Sequence, residues 1–125
     1  MAEFNCPVYL GAEDIDLFSL QGITPYEDAT VMKFGEIKLF VFSTPGHTPG
    51  CYCLWADGML FCGDTLFAGT VGRTDMRGGD FNVLKESLKK IVETGDDNPQ
   101  VLPGHNHFST LQQEKVQNPY LKNLR

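Results

Sequence analysis

Apolar positions along the chain follow two periods, and the change between them separates a strand-rich first part from a helix-bearing second part. Residues 30–34 and 36–43 read as two strands around Gly35. In the second of these, Ile37, Leu39 and Val41 lie on one face and Phe40 and Phe42 on the other. Residues 51–55 and 59–62 read as another hairpin, because Asp57-Gly58 is a strong tight-turn signal. Ahead of both, residues 6–10 suggest a short strand and residues 12–18 a helical turn or short helix. Residues 23–29, which follow Gly22 and contain Pro25, suggest a loop. The period becomes helical after Asp80, where Phe81, Leu84, Leu88, Ile91 and Val92 recur at the spacing of one helix face, with Asp80 placed to cap it and Gly95 to close it. Residues 100–102 are a brief strand. Ser109 or Thr110 can cap a last helix through Val116, with Glu114 in its first turns and its end at Asn118-Pro119-Tyr120.

Hairpins followed by a helix, a strand and a helix predict an α+β fold, with a mostly antiparallel sheet and helices on one face. The strands carry apolar residues on both faces, which calls for a further layer that no remaining segment obviously supplies. At 125 residues and 42% hydrophobic, the chain reads as one globular domain or part of a larger one. A net charge of −6 argues against nucleic acid as a partner, and Lys85, Lys89 and Lys90 read as the solvent side of the helix. No apolar run approaches the roughly 20 residues that span a bilayer, and the acidic start at residues 1–4 is unlike a signal peptide, so the cytoplasm is the default location. The four cysteines, Cys6, Cys51, Cys53 and Cys62, show no C-x-x-C spacing. Cys51 and Cys53 are expected on one strand face as small apolar residues, and Cys62 lies nearest to candidate chemistry.

That chemistry sits at turns. Thr44-Pro45-Gly46-His47-Thr48-Pro49-Gly50, Gly63-Asp64-Thr65 and Pro103-Gly104-His105 each follow an apolar run and each deliver one possible metal ligand. Two of the three histidines in the chain are at such turns, so three strand ends can meet at one ion. Asp80 is read as a helix cap ahead of a ligand, and His107 either as a polar rim residue or as a compensating ligand. Arg73 either grips a substrate carboxylate in a two-pronged hydrogen bond or pairs with Asp75 or Asp80. Tyr120 and Lys122 read as a packed aromatic and a solvated charge ahead of the alternative, contacts to a substrate tail in an intact enzyme.

These turns, together with Leu60-Phe61-Cys62-Gly63-Asp64-Thr65-Leu66-Phe67, Gly72-Arg73-Thr74-Asp75 and Leu102-Pro103-Gly104-His105, resemble in order and spacing the metallo-β-lactamase superfamily. Within it they look most like the hydroxyacylglutathione hydrolase (glyoxalase II)-like branch. The resemblance implies an αβ/βα sandwich of two facing sheets with helices outside and metals at one edge. The family's first metal motif, H-x-H-x-D-H, is absent from this sequence, so residues 1–125 resemble the C-terminal portion of that domain.

By that resemblance His47 belongs to the first metal, His105 to the second, and Asp64 bridges them as the catalytic carboxylate. The metal would be zinc, with iron or manganese as alternatives, or the site would stay empty in this chain. The implied activity is hydrolysis of a glutathione-type thioester by a metal-bound hydroxide in the intact enzyme, with Arg73 as a candidate substrate contact. The alternatives are a truncated, inactive fragment that acts only by association and a persulfide dioxygenase-like iron enzyme. The open sheet face predicts a homodimer or domain-swapped assembly.

Overall fold

The computed structural model describes residues 7–94, 98–122 and 124. The expected start of the first strand at Cys6, the acidic start at residues 1–4 and the helix stop at Gly95 lie outside the described residues. The chain runs β1 (Tyr9–Leu10), α1 (Ala12–Leu17), β2 (Thr24–Pro25), β3 (Thr30–Phe34), β4 (Ile37–Ser43), β5 (Tyr52–Ala56) and β6 (Met59–Gly63). It continues through β7 (Leu66–Phe67), β8 (Thr70–Val71), α2 (Phe81–Thr94), β9 (Gln100–Pro103), β10 (Ser109–Thr110), α3 (Leu111–Gln117) and α4 (Pro119–Lys122).

Six strands form the main sheet in the order β10-β9-β6-β5-β4-β3. All neighbours are antiparallel except β6 and β9, which pair in parallel because α2 carries the chain back across the sheet between them. The fold is thus α+β with a mostly antiparallel sheet. Both expected hairpins form. Phe34 pairs with Ile37 across Gly35-Glu36, and Ala56 with Met59 across Asp57-Gly58, whose φ angles of 49° and 78° are the pair that a two-residue hairpin turn needs.

Asp80 caps α2 as expected. Its Oδ1 accepts from the backbone N–H of Asn82 at 2.9 Å and of Val83 at 3.2 Å. Leu84, Leu88 and Ile91 are fully buried against the sheet, each stabilising the fold by about 1.5–3 kcal/mol. Phe81 is the exception to the expected apolar face. It sits in the exposed first turn with its ring edge against Tyr120, while buried Ser87 takes a place facing the core and donates to the Pro45 carbonyl at 2.6 Å. Thr110 caps α3 by accepting from the Gln113 N–H. The helical path does not end at Asn118 but restarts there. The Asn118 N–H closes α3 on the Glu114 carbonyl, and Pro119 opens α4, where its missing N–H is not needed.

One sheet face holds Phe42, Cys53, Leu60, Cys62 and Val101, packed with α2, Leu111 of α3 and Leu121 of α4. Cys53 and Cys62 are fully buried, as expected of small apolar residues, whereas Cys51 lies just before β5, half-buried, with its sulfur 3.0 Å from the Thr48 hydroxyl. The register places Phe34, Ile37, Leu39, Leu54 and Phe61 on the opposite face. The β1–α1–β2 segment covers part of that face, Tyr26 lying against Tyr52 at 5.1 Å between ring centroids. Phe34 (76% exposed), Ile37 (52%) and Phe61 (37%) remain open.

Candidate metal centre

β4 and β6 run in the same direction, since β5 lies antiparallel between them, and β9 is parallel to β6. His47, Asp64 and His105 therefore follow the C-terminal ends of three strands of equal polarity and emerge at one edge of the sheet. Side chains at the carboxyl ends of strands are free of the ladder and face a shared opening.

The turn after β4 is tightly held. Gly46 lies against α2, with φ 143°, and a Cβ there would come within 2.4 Å of Leu84 Cβ and 2.5 Å of Leu84 Cα. This contact lets the Gly46 carbonyl accept from the Asp80 N–H at 2.8 Å. From the other side, buried Asp14 of α1 accepts from the Thr48 hydroxyl at 2.6 Å and the Gly50 N–H at 2.8 Å. Lys90, expected to be only solvated, reaches the Ser43 carbonyl at 2.7 Å. His47 thus leaves a turn fixed by two helices.

His47 Nδ1 lies 2.7 Å from the Arg73 carbonyl, which only accepts, so Nδ1 carries the proton. Its Nε2 lies 3.6 Å from Asp64 Oδ2. His105 Nδ1 lies 2.9 Å from the other oxygen, Asp64 Oδ1. The three residues expected to share chemistry are thus brought together, with one histidine at each oxygen of Asp64. A cavity of about 370 Å³ opens over them, walled also by Phe67, Thr70, Val71, Arg73 and Asn106. The Phe67 ring meets the His105 ring edge-on at 5.9 Å.

Arg73 pairs with Asp75, one of the two acidic partners expected for it. Its Nε and Nη2 bind the two oxygens of Asp75 at 2.7 and 3.0 Å. That fork holds the Asp75 carboxyl below its ordinary range, although both side chains are largely exposed. The Arg73 backbone carbonyl still serves the site by orienting His47. His107 is exposed and lies outside the cavity wall. Cys62, two residues before Asp64, points into the core, where its hydrogen bond with Cys53 and its burial push its thiol pKa well up, so it stays protonated and inert.

Imidazole and carboxylate suit zinc and iron(II) in donor type. Among the described residues, no three His, Cys, Asp or Glu side chains are already grouped to hold an ion. His105 hydrogen-bonds one oxygen of Asp64 and His47 approaches the other at 3.6 Å, so the two rings lie at different oxygens of the carboxylate. Three donors also fall one short of the four of a structural zinc site. The set fits part of a metal site in type and tautomer, and it is incomplete in number.

The β7–β8 hairpin, which supplies Phe67, Thr70 and Val71, had no signal in the sequence, since two-residue strands show no period. Buried Asp14, Glu114 and Asn118 were equally silent as supports, because a polar residue reads the same whether it faces solvent or a backbone.

Comparison with known proteins identifies the family. Residues 8–109 match the metallo-beta-lactamase superfamily, and the chain belongs to it. It is 32% identical over 97 residues to hydroxyacylglutathione hydrolase GloC of Haemophilus influenzae, covering 76% of this chain and 46% of that protein. It is 35% identical over 101 residues to the mitochondrial persulfide dioxygenase ETHE1 of Bos taurus, covering 76% of this chain and 40% of that one. Among solved structures, TTHA1623 in a di-iron-bound form superposes with a TM-score of 0.86 at 30% identity, covering 96% of this chain and 67% of that one. The chain spans about half the length of the curated relatives it matches, in keeping with a resemblance to the C-terminal portion of the domain. No helix among the described residues is long and apolar enough to cross a membrane.

Proposed function

We propose that this chain carries one part of the active centre of a metal-dependent hydrolase, with His47 and His105 as ligands and Asp64 as the carboxylate shared between them. The observation that carries this reading is the approach of both histidines to Asp64 from three strand ends, His47 with its Nδ1 proton already committed and its Nε2 turned toward the site. A metal held here, zinc, iron or manganese, would lower the pKa of a bound water and polarise a carbonyl. The chain's own residues do the rest: Asp64 offsets positive charge, the Arg73 carbonyl fixes one imidazole, and Phe67 and Val71 give the cavity an apolar wall. The substrate class is a thioester of glutathione or a similar thiol, a reading supported by the similarity to GloC. Arg73 becomes a candidate for a substrate carboxylate only if it leaves Asp75.

A second reading, iron-dependent chemistry on a persulfide, draws on the similarity to ETHE1 and on the shared Gly72-Arg73-Thr74-Asp75 run. Titration calorimetry with Zn²⁺ and with Fe²⁺ under anaerobic conditions, on the wild type, His47→Ala and His107→Ala, tests the ligand assignment. Binding is expected to weaken much more for His47→Ala than for His107→Ala, and equal losses would overturn it. Turnover of a glutathione thioester or of a persulfide by the metal-loaded chain then separates the two chemistries. A chain that binds metal and turns over neither would support a fragment that acts only by association.

A further inference from the structure

Asn118 and Glu114 lie at the corner between α3 and α4, both buried and both without a place in the chemistry above. Asn118 Nδ2 lies within hydrogen-bond distance of the Thr70 carbonyl (3.0 Å), the Phe67 carbonyl (3.3 Å) and Glu114 Oε1 (3.0 Å). Glu114 Oε1 also accepts from the Gly69 N–H at 2.8 Å. The Asn118 Oδ1 accepts from the Tyr120 N–H at 3.0 Å, which locks the amide orientation. Two side chains therefore hold the backbone of the β7–β8 hairpin at its tip and on both flanks. With two residues per strand, that hairpin has little stability of its own.

What the hairpin touches gives the corner its significance. Phe67, on its first strand, sets its ring against His105. Its second strand leads through Gly72 to Arg73. A Cβ on Gly72 would come within 1.7 Å of the Asp64 carbonyl oxygen and 3.2 Å of His47 Cβ, so the backbone here rests directly on the site. One residue on, the Arg73 carbonyl accepts from His47 Nδ1. Both histidines thus depend on the two ends of one hairpin, and that hairpin depends on one buried amide and one buried carboxylate.

We propose that Asn118, supported by Glu114, is a positioning residue that sets the orientation of both His47 and His105 through the β7–β8 hairpin. As an account of metal affinity it rests on the reading of these histidines as ligands; as an account of ring orientation it does not. The test is long-range proton–nitrogen NMR of the histidine rings in the metal-free full chain, followed by Zn²⁺ titration. Leu121→Ala serves as a control, since Leu121 is buried in α4 and packs in the core.

In Asn118→Ala the His47 Nδ1–H signature is expected to give way to exchange between tautomers, the His105 ring to lose its contact with Phe67, and Zn²⁺ affinity to fall about 10- to 100-fold. In Leu121→Ala both ring signatures are expected to persist despite lower stability. If Asn118→Ala does not fold, Asn118→Ser, which removes less volume and keeps one donor, carries the same test. Unchanged rings in a folded Asn118 variant, or equal changes in Leu121→Ala, would overturn the proposal. Ring changes in a chain whose wild type binds no Zn²⁺ would uphold the positioning role and show that these three donors alone do not hold the metal.

Discussion

Replacing Gly46 by alanine puts the support of His47 to a direct test. The new methyl group meets α2 backbone and the base of Leu84 at 2.4–2.7 Å, and neither can swing away as the end of a flexible side chain would. The φ of 143° lies in a region nearly restricted to glycine, worth about 1–3 kcal/mol for another residue. Forcing a methyl into the packed contact adds about 1–3 kcal/mol. Moving the turn away from α2 sacrifices the Asp80 N–H to Gly46 bond, a further ~0.5–1.5 kcal/mol. The sum is about 2.5–7.5 kcal/mol, a large share of the roughly 5–15 kcal/mol that holds a typical domain folded. Gly58→Ala is the control. Its φ is 78° with open space around it, so only the left-handed backbone term of about 1–2 kcal/mol applies. Urea denaturation followed by circular dichroism measures both. A Gly46→Ala loss no larger than that of Gly58→Ala would show that the turn is not pinned by α2, and the account of His47 placement would fail with it.

Asp80→Ala removes the cap of α2 and is expected to lower stability by about 1 kcal/mol in the same denaturation assay. The uncovered residues Phe34, Ile37 and Phe61 are expected to drive association of two copies, seen as a dimer mass by light scattering. Ile37→Lys should shift that mass toward the monomer, and a wild-type monomer at all concentrations would refute the expectation. Burial raises the pKa of the Cys51 thiol, so the native chain favours its neutral form. Its contribution to stability is complete below the unfolded pKa of about 8.5 and is lost as pH rises through the higher folded value. Cys51 should accordingly react slowly with a thiol reagent at pH 8 in the native chain and fast in denaturant.

The elements legible in the sequence are those that repeat. β3 and β4 alternate, the Asp57-Gly58 turn has its own chemistry, and α2 shows both its spacing and its cap. Once the turns were recognised as strand ends, His47, Asp64 and His105 could be grouped, and the fold does bring them together. The parallel pairing of β6 with β9 is what places Asp64 beside His105, and no local pattern encodes it. Phe81 misled because helical spacing locates a face without saying where along it the core begins. Glu114 was visible as a first-turn acid, but its bond to the Gly69 N–H spans 45 residues and depends on where a two-strand hairpin comes to rest.

The shared polarity of β4, β6 and β9 also bears on how this chain acquires its site. A strand advances about 3.3 Å per residue, and a one-residue slip reverses the face its side chains point to. A slip in any one of the three strands therefore removes its donor by more than a bond length, while the other two stay in place. His47 and His105 stand 58 positions apart in the sequence (105 − 47), so no local segment can form the cluster early. The constellation requires β4, β5, β6 and β9 to be paired in register, and the histidine-to-Asp64 contacts are thereby a chemical signature that these four strands have come together.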